Sequence, residues 1–201
     1  MEVLIACEES QTVCMAFREI GHIAYSCDIL EQSGGHPDFH LKGDALEEAY
    51  SGNWDMMIAH PPCTYLSVSG LHWNKRQPER AIKTENALEF VQKLMDAPIP
   101  RIAIENPISC ISSRIRKPDQ IIQPYDCGHE ASKKTCLWLK NLPLLKPTRF
   151  IKPRIIDGKN RWANQTDSGQ NRLGPSPTRA KERSKTYQGI ADAMSEQWGK
   201  Y

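Results

Sequence analysis

The sequence predicts an α/β fold in which helices cover both faces of a mostly parallel sheet. Two observations predict it. Short apolar runs recur along the first 140 residues as buried strands, and helix-like stretches, two of them with a candidate capping residue, lie among them. Strand, helix, strand in succession implies parallel neighbours joined by crossovers, since a parallel pair cannot be closed by a tight turn.

The first strand is "VLIAC" (3 to 7). "SQTVCMAFREIG" follows as a helix, with Ser10 as N-cap, apolar residues at 13, 16, 17 and 20, and Gly21 as the stop. "HIAYSCDI" (22 to 29) and "WDMMIAH" (54 to 60) read as the next two strands, the latter ended by Pro61-Pro62. "TENALEFVQKLMDA" (84 to 97) repeats the helical device, Thr84 capping and Ala87, Leu88, Val91, Leu94 and Met95 sharing a face. "RIAIENP" (101 to 107) and "TCLWL" (135 to 139) complete the strands. From 141 to 185 the pattern gives way to a stretch rich in Pro, Gly, Asn and Arg, read as a basic, loop-rich insertion. Helical spacing then returns, with Ile190, Ala193, Met194 and Trp198 placed to pack. The expectation is a single domain over 1–201.

Composition narrows the class. With 39% apolar and 25% charged residues, and no run near the ~20 apolar residues of a membrane span, the chain reads as an ordinary globular protein. Its start has no basic segment of the signal-peptide kind, and its seven cysteines form no CxxC pair. Reduced thiols and a cytoplasmic location are therefore expected. His36, His40 and Cys27 have a plausible ligand spacing, but with no second ligand pair no metal is expected. Charge is uneven: 12 Lys/Arg stand against 5 Asp/Glu from residue 146 onward, and 14 against 19 before it. A bias this local is either a solvated surface or a site for a phosphate-bearing partner.

Ligands of open parallel sheets bind beyond the carboxyl ends of the strands. That rule gathers the 7 to 11 turn, Asp28, Cys63 and Glu105 on one edge. A thiolate can add to an electron-poor carbon while a protonated carboxyl group hydrogen-bonds to the substrate and offsets the charge that develops. The plainer alternatives are Cys63 as packing and Glu105-Asn106 as a hydrogen-bonded strand end.

"DMMIAHPPCTYLSVSG" resembles the Pro-Cys motif of the DNA cytosine-5 methyltransferases, typically Pro-Pro-Cys-Gln-x-Phe-Ser, and "IAIENP" resembles their Glu-Asn-Val strand end. "YSCDI" and "GDA" (43 to 45) are similar to the cofactor-binding segments of that family. The resemblance spans about 3 to 139 and returns at 186 to 198. It implies a Rossmann-like methyltransferase fold in a compact, phage-type member without a full target-recognition domain. It implies that Cys63 attacks C6 of cytosine, Glu105 acts at N3 and Lys134 assists. It also implies S-adenosylmethionine as cofactor, with Asp28 at the ribose, Ile29 near the adenine and Asp44 at its exocyclic amine. Cys7, Glu9, Ser10 and Pro61 would complete that site.

Four departures stand out. The family's glycine-rich first loop reads "ACEES", which could still present amides at the helix start. Its Gln-x-Arg-x-Arg stretch reads "ASKKTCLWL", leaving Lys133 or Lys134 to supply the positive charge, and its closing Gly-Asn reads Gly189-Ile190. Only residues 141–185 fill the place of the target-recognition domain. DNA is the implied partner, its base flipped out or its strand single, with Ser67, Lys133, Arg172, Arg179, Lys181, Arg183 and Lys185 near the backbone. Two alternatives stay open: methylation of a free pyrimidine nucleotide, and a catalytically inactive decoy that binds DNA or protein.

Overall fold

Val3, Leu4, Ile5 and Ala6 are all fully buried, and so are Met56, Met57, Ile58 and Ala59, so successive side chains of each strand point into apolar layers on opposite faces. The structure, a computed structural model, describes residues 1–176 and 179–201. Seven strands form its main sheet: β1 (Glu2–Ala6), β2 (Ile23–Asp28), β3 (His40–Lys42), β4 (Met56–Ala59), β5 (Arg101–Pro107), β6 (Gln120–Ile122) and β7 (Thr135–Lys140). Their order is β3-β2-β1-β4-β5-β7-β6, with β7 antiparallel to both neighbours and the other pairings parallel. This is the Rossmann-like architecture that the resemblance implies.

One face carries α1 (Thr12–Glu19) and α6 (Gln188–Trp198), whose Phe17, Met194 and Trp198 pack over Val3, Ile5, Ile58 and Ala103. The other carries α2 (Ala45–Ser51) and α3 (Pro78–Asp96), whose Ala49, Leu88, Val91 and Leu94 pack over Leu4, Met57, Ile102 and Ile104. A four-residue helix, α4 (Ile111–Arg114), leads into β6. Among the described residues no helix is long and apolar enough to cross a membrane.

Two local expectations are corrected. Ser10 does not cap α1; Gln11 holds that position at φ 60, and the buried Glu8 carboxylate accepts from the amides of Val13 (2.7 Å) and Cys14 (3.1 Å). α3 starts at Pro78, whose missing amide costs nothing in a first turn. Thr84 therefore lies inside the helix, where its buried hydroxyl donates to the Tyr65 carbonyl (3.0 Å) and accepts from Asn74 (2.9 Å). The stretch 141–185 contains a hairpin, β8 (Arg154–Ile156) with β9 (Lys159–Arg161), and a short helix, α5 (Arg179–Ser184). Asp157 and Gly158 turn the hairpin with φ 48 and 71, the left-handed pair that a two-residue turn requires. Trp162 anchors it by stacking on Tyr125 at 4.3 Å, and Asn164 exchanges two hydrogen bonds with the Ser132 backbone.

Gly189 marks a close approach. Its amide donates to His129 Nε2 (2.8 Å), and a Cβ there would overlap the Cys127 carbonyl oxygen. The closing helix is thereby pinned to the segment that leads to Lys133. Thr84→Val, which removes two hydrogen bonds linking α3 to residues 65 and 74, is expected to cost about 1–3 kcal/mol in urea unfolding.

Candidate active site

Cys63 is the exposed one among the seven free cysteines. It follows β4 on a turn held from three sides. Asn106 at the end of β5 donates to the Pro61 carbonyl (2.7 Å), Arg80 of α3 donates to the Thr64 carbonyl (2.9 Å), and the Cys63 carbonyl accepts from Leu66 and Ser67. Pro62 and Pro61 fix the intervening backbone. The thiol's pKa is nevertheless raised: partial loss of solvent around the side chain is the largest cause and the Glu105 charge the second, while Cys63's own amide, Lys133 and Arg183 pull the other way.

Ala59 pairs with Ile104, so the next residues on the two parallel strands, His60 and Glu105, meet at the same edge. His60 Nδ1 lies 3.0 Å from Glu105 Oε2, and both side chains are about nine-tenths buried. Burial alone would raise the pKa of Glu105. The His60 hydrogen bond, the charges of Lys133 and His60, and the Thr135 hydroxyl outweigh it and hold the carboxyl below the usual carboxylate range. Glu105 is therefore ionised in the free protein, whereas the sequence reading expects a protonated group. Lys134 is exposed, and the lysine whose charge reaches Glu105 is Lys133. With Thr135, Thr186, Tyr187 and Ile190, Glu105 and Lys133 line a small cavity under the start of α6. The meeting of His60 with Glu105 depends on strand register, and its sequence signal is that each residue directly follows the apolar run of its strand.

The residues expected around the cofactor gather at the ends of β1 and β2. Cys7 adopts φ 59, the conformation for which a glycine-rich loop is suited. The nearby charges of Asp28 and Asp44 add to burial in pushing its thiol far up. Asp28 accepts from the Leu30 amide (2.9 Å) through one oxygen, Ile29 is 73% exposed, and Asp44 caps α2 through the Leu46 amide (2.8 Å). Ser10 contacts Thr12 (3.2 Å), and Pro61 is buried. Glu9 Oε2 is buried without a hydrogen bond, Lys181 Nζ lying 3.5 Å away as an ion pair. This group suits S-adenosylmethionine at its adenosine end, through Asp28, Asp44 and Ile29, and leaves Glu9 as a buried anion for a cationic one. It departs from expectation at the start of α1, where Glu8 occupies the amides of Val13 and Cys14.

The basic residues fall into two groups. Arg172 belongs to the hairpin region, its Nε donating to the Gln165 carbonyl (2.8 Å). Arg179, Lys181 and Arg183 lie on α5 and Lys185 just after it. This segment reaches the sheet edge: Lys181 pairs with Glu9, the charge of Arg183 acts on Cys63, and the Lys185 carbonyl accepts from Lys133 Nζ (3.3 Å). Arg179 Nε is buried without a hydrogen bond. Ser67 lies on the Cys63 turn, its hydroxyl 3.1 Å from that of Ser69. Of the histidines considered for metal, His40 has both ring nitrogens engaged, by Ser26 (2.8 Å) and the Leu30 carbonyl (2.9 Å).

No protein-family model and no curated protein matches this chain. Among solved structures it is similar to a protein from E. coli described as a candidate DNA modification methyltransferase encoded within a prophage. The TM-score is 0.48 and the sequence identity 10%, over 78% of this chain and 53% of that one. The chain thus spans about half the length of that structure.

Glu105→Gln removes the anion that disfavours the thiolate and leaves the charge of Lys133 unopposed, so the Cys63 pKa falls. Alkylation of Cys63 by iodoacetamide at pH 8 is expected to quicken by about 3- to 10-fold. Because the folded-state pKa of Glu105 is depressed, its contribution to stability is present above its unfolded value, about 4.3, and is lost as pH falls through the folded one. The same variant should flatten that acid limb in unfolding curves.

Proposed function

We propose that this chain is an S-adenosylmethionine-dependent methyltransferase that acts on C5 of cytosine in DNA through a covalent Cys63 adduct. One observation carries the reading: an exposed thiol on a turn fixed by Pro61 and Pro62 stands one strand away from the buried carboxylate of Glu105. A nucleophile and an acid on one edge suit addition to a pyrimidine ring, where attack at C6 pushes electrons toward C5 and N3.

Cys63 bonds to C6 and Glu105, which takes up a proton as the base binds, passes it to N3. Lys133 offsets the negative charge of Glu105 once that proton has left. Asp28, Asp44 and Ile29 would hold the adenosine side of the cofactor, and Cys7, Glu9, Ser10 and Pro61 would complete its site. The cofactor supplies an electrophilic methyl group for C5. A cytosine stacked in a duplex exposes neither face of C6, so the base is flipped out or taken from a single strand, at a cost of a few kcal/mol. Residues 141–185 stand in the place of a target-recognition domain, with Ser67, Arg172, Arg179, Lys181, Arg183 and Lys185 toward the backbone.

Nucleoside mass spectrometry on DNA from cells expressing the protein should show 5-methylcytosine, and DNA from cells expressing Cys63→Ser should show none. Equal methylation by the variant removes the covalent mechanism; no modified base from either overturns the reading. A free pyrimidine nucleotide as acceptor is favoured by the shortness of the hairpin region and by the internal bonds of Arg172 and Lys181. Binding to duplex DNA separates the two. If DNA is the substrate, Arg183→Ala with Lys185→Ala should reduce the slope of log K against log salt by about 2, and salt-independent binding favours the nucleotide.

A further inference from the structure

Four neighbouring strands, in the order β1, β4, β5, β7, bring Glu8, His60, Glu105 and Lys133 to one edge of the sheet. The chain leaves that row through the Cys63 turn and enters a 3₁₀ helix, Val68–Lys75, before α3 begins at Pro78. Side chains at i and i+3 eclipse in such a helix. Leu71 and Asn74 share its inward line, Leu71 packing on the core of the α3 face and Asn74 donating to Thr84 (2.9 Å). The two outward lines carry His72 with Lys75 and Trp73 with Arg76, all four exposed. Arg80 ties this ridge to the Cys63 turn, donating to the carbonyls of Thr64 (2.9 Å) and Gly70 (3.3 Å).

Trp73 is 43% exposed, whereas the other four tryptophans are buried or half-buried. An indole left in water forgoes the gain of burial, and cations rather than apolar side chains surround this one. The Arg76 guanidinium lies 5.7 Å from its ring centre and the His72 ring 4.9 Å away. Tyr65 repeats the pairing, with Arg80 at 5.0 Å and Lys83 at 5.7 Å from its ring centre. Residues 64–83 hold four Lys/Arg against one Glu, within the part of the chain where acids outnumber bases.

We propose that this ridge is a stacking platform for unpaired DNA, and that the Cys63 site takes its cytosine from a single strand rather than from a duplex. This rests on the cytosine-methylating reading above. Aromatic rings interleaved with cations suit a strand whose bases are free: ring meets base, and cation meets phosphate. A duplex offers the phosphates alone, because its bases already stack on one another. An acidic peptide would meet the cations and leave Trp73 without a planar partner. An unpaired cytosine also reaches Cys63 without the cost of extrusion.

The test measures, by fluorescence anisotropy, binding of the full chain to a labelled strand of about 16 nucleotides. The comparators are the duplex of the same sequence and an abasic strand of the same length, and the variants are Trp73→Ala and Trp73→Phe. The natural strand should bind about tenfold or more tighter than either comparator. Trp73→Ala should weaken it by about 5- to 100-fold and leave the duplex within about twofold, while Trp73→Phe, which keeps a ring, retains most of the affinity. An abasic strand bound as tightly as the natural one makes the ridge a charged surface that any polyanion fills, and overturns the proposal. So does a duplex bound as tightly as the strand, or a Trp73→Ala effect that is absent or equal for both. Tritiated methyl transfer to strand and duplex reads the parent claim separately. Transfer to neither, with strand binding as expected, sinks the methyltransferase reading and leaves the platform; faster transfer to the duplex sinks the single-strand assignment alone.

Discussion

A carboxylate keeps its charge at the buried end of a strand only if the protein supplies what water no longer does. Glu105 is supplied by His60, Thr135 and Lys133, and much of the architecture around the edge serves that arrangement. The register of β4 against β5 sets His60 beside it. The antiparallel course of β7 returns the chain to the same edge, so that Lys133, two residues before the strand, arrives there as well. Lys133 in turn depends on the loop from 123 to 134, which is fixed by the Trp162 stack on Tyr125 and by the contact of Gly189 with Cys127. Electrostatics at one side chain thus places demands on three strands and on residues as far along the chain as Gly189.

Glu8 marks a second solution to a familiar constraint. The start of a helix has unsatisfied amides, and a glycine-rich turn leaves them for a ligand. Here a side chain two residues from the end of β1 takes two of them, so α1 is capped from within. In "ACEES" the hydrogen bonds of the helix start are thus met by the chain itself. Cys7 keeps the left-handed backbone that a glycine would adopt more readily.

What was legible in the sequence was local. The Pro-Pro-Cys turn, the Glu-Asn strand end and the apolar strands can be read within ten residues, because dihedral limits and burial act at that range. The row of Glu8, His60, Glu105 and Lys133 cannot, since its members are neighbours only after the strands have paired. The same holds for the choice between Lys133 and Lys134, where alternate residues face different ways. The early turns of α3 were missed because they have little apolar periodicity, Ile82 being 62% exposed. The hairpin had a signal, Asp157-Gly158, but its three-residue strands were too short to stand out from the surrounding loop.

The place of α6 bears on the life of the chain before it is finished. This last helix packs against α1, the first, and through Gly189 it braces the segment that carries Lys133. A nascent chain that has not yet exposed residue 188 therefore has the thiol and the carboxylate but not the frame that holds their cation in position.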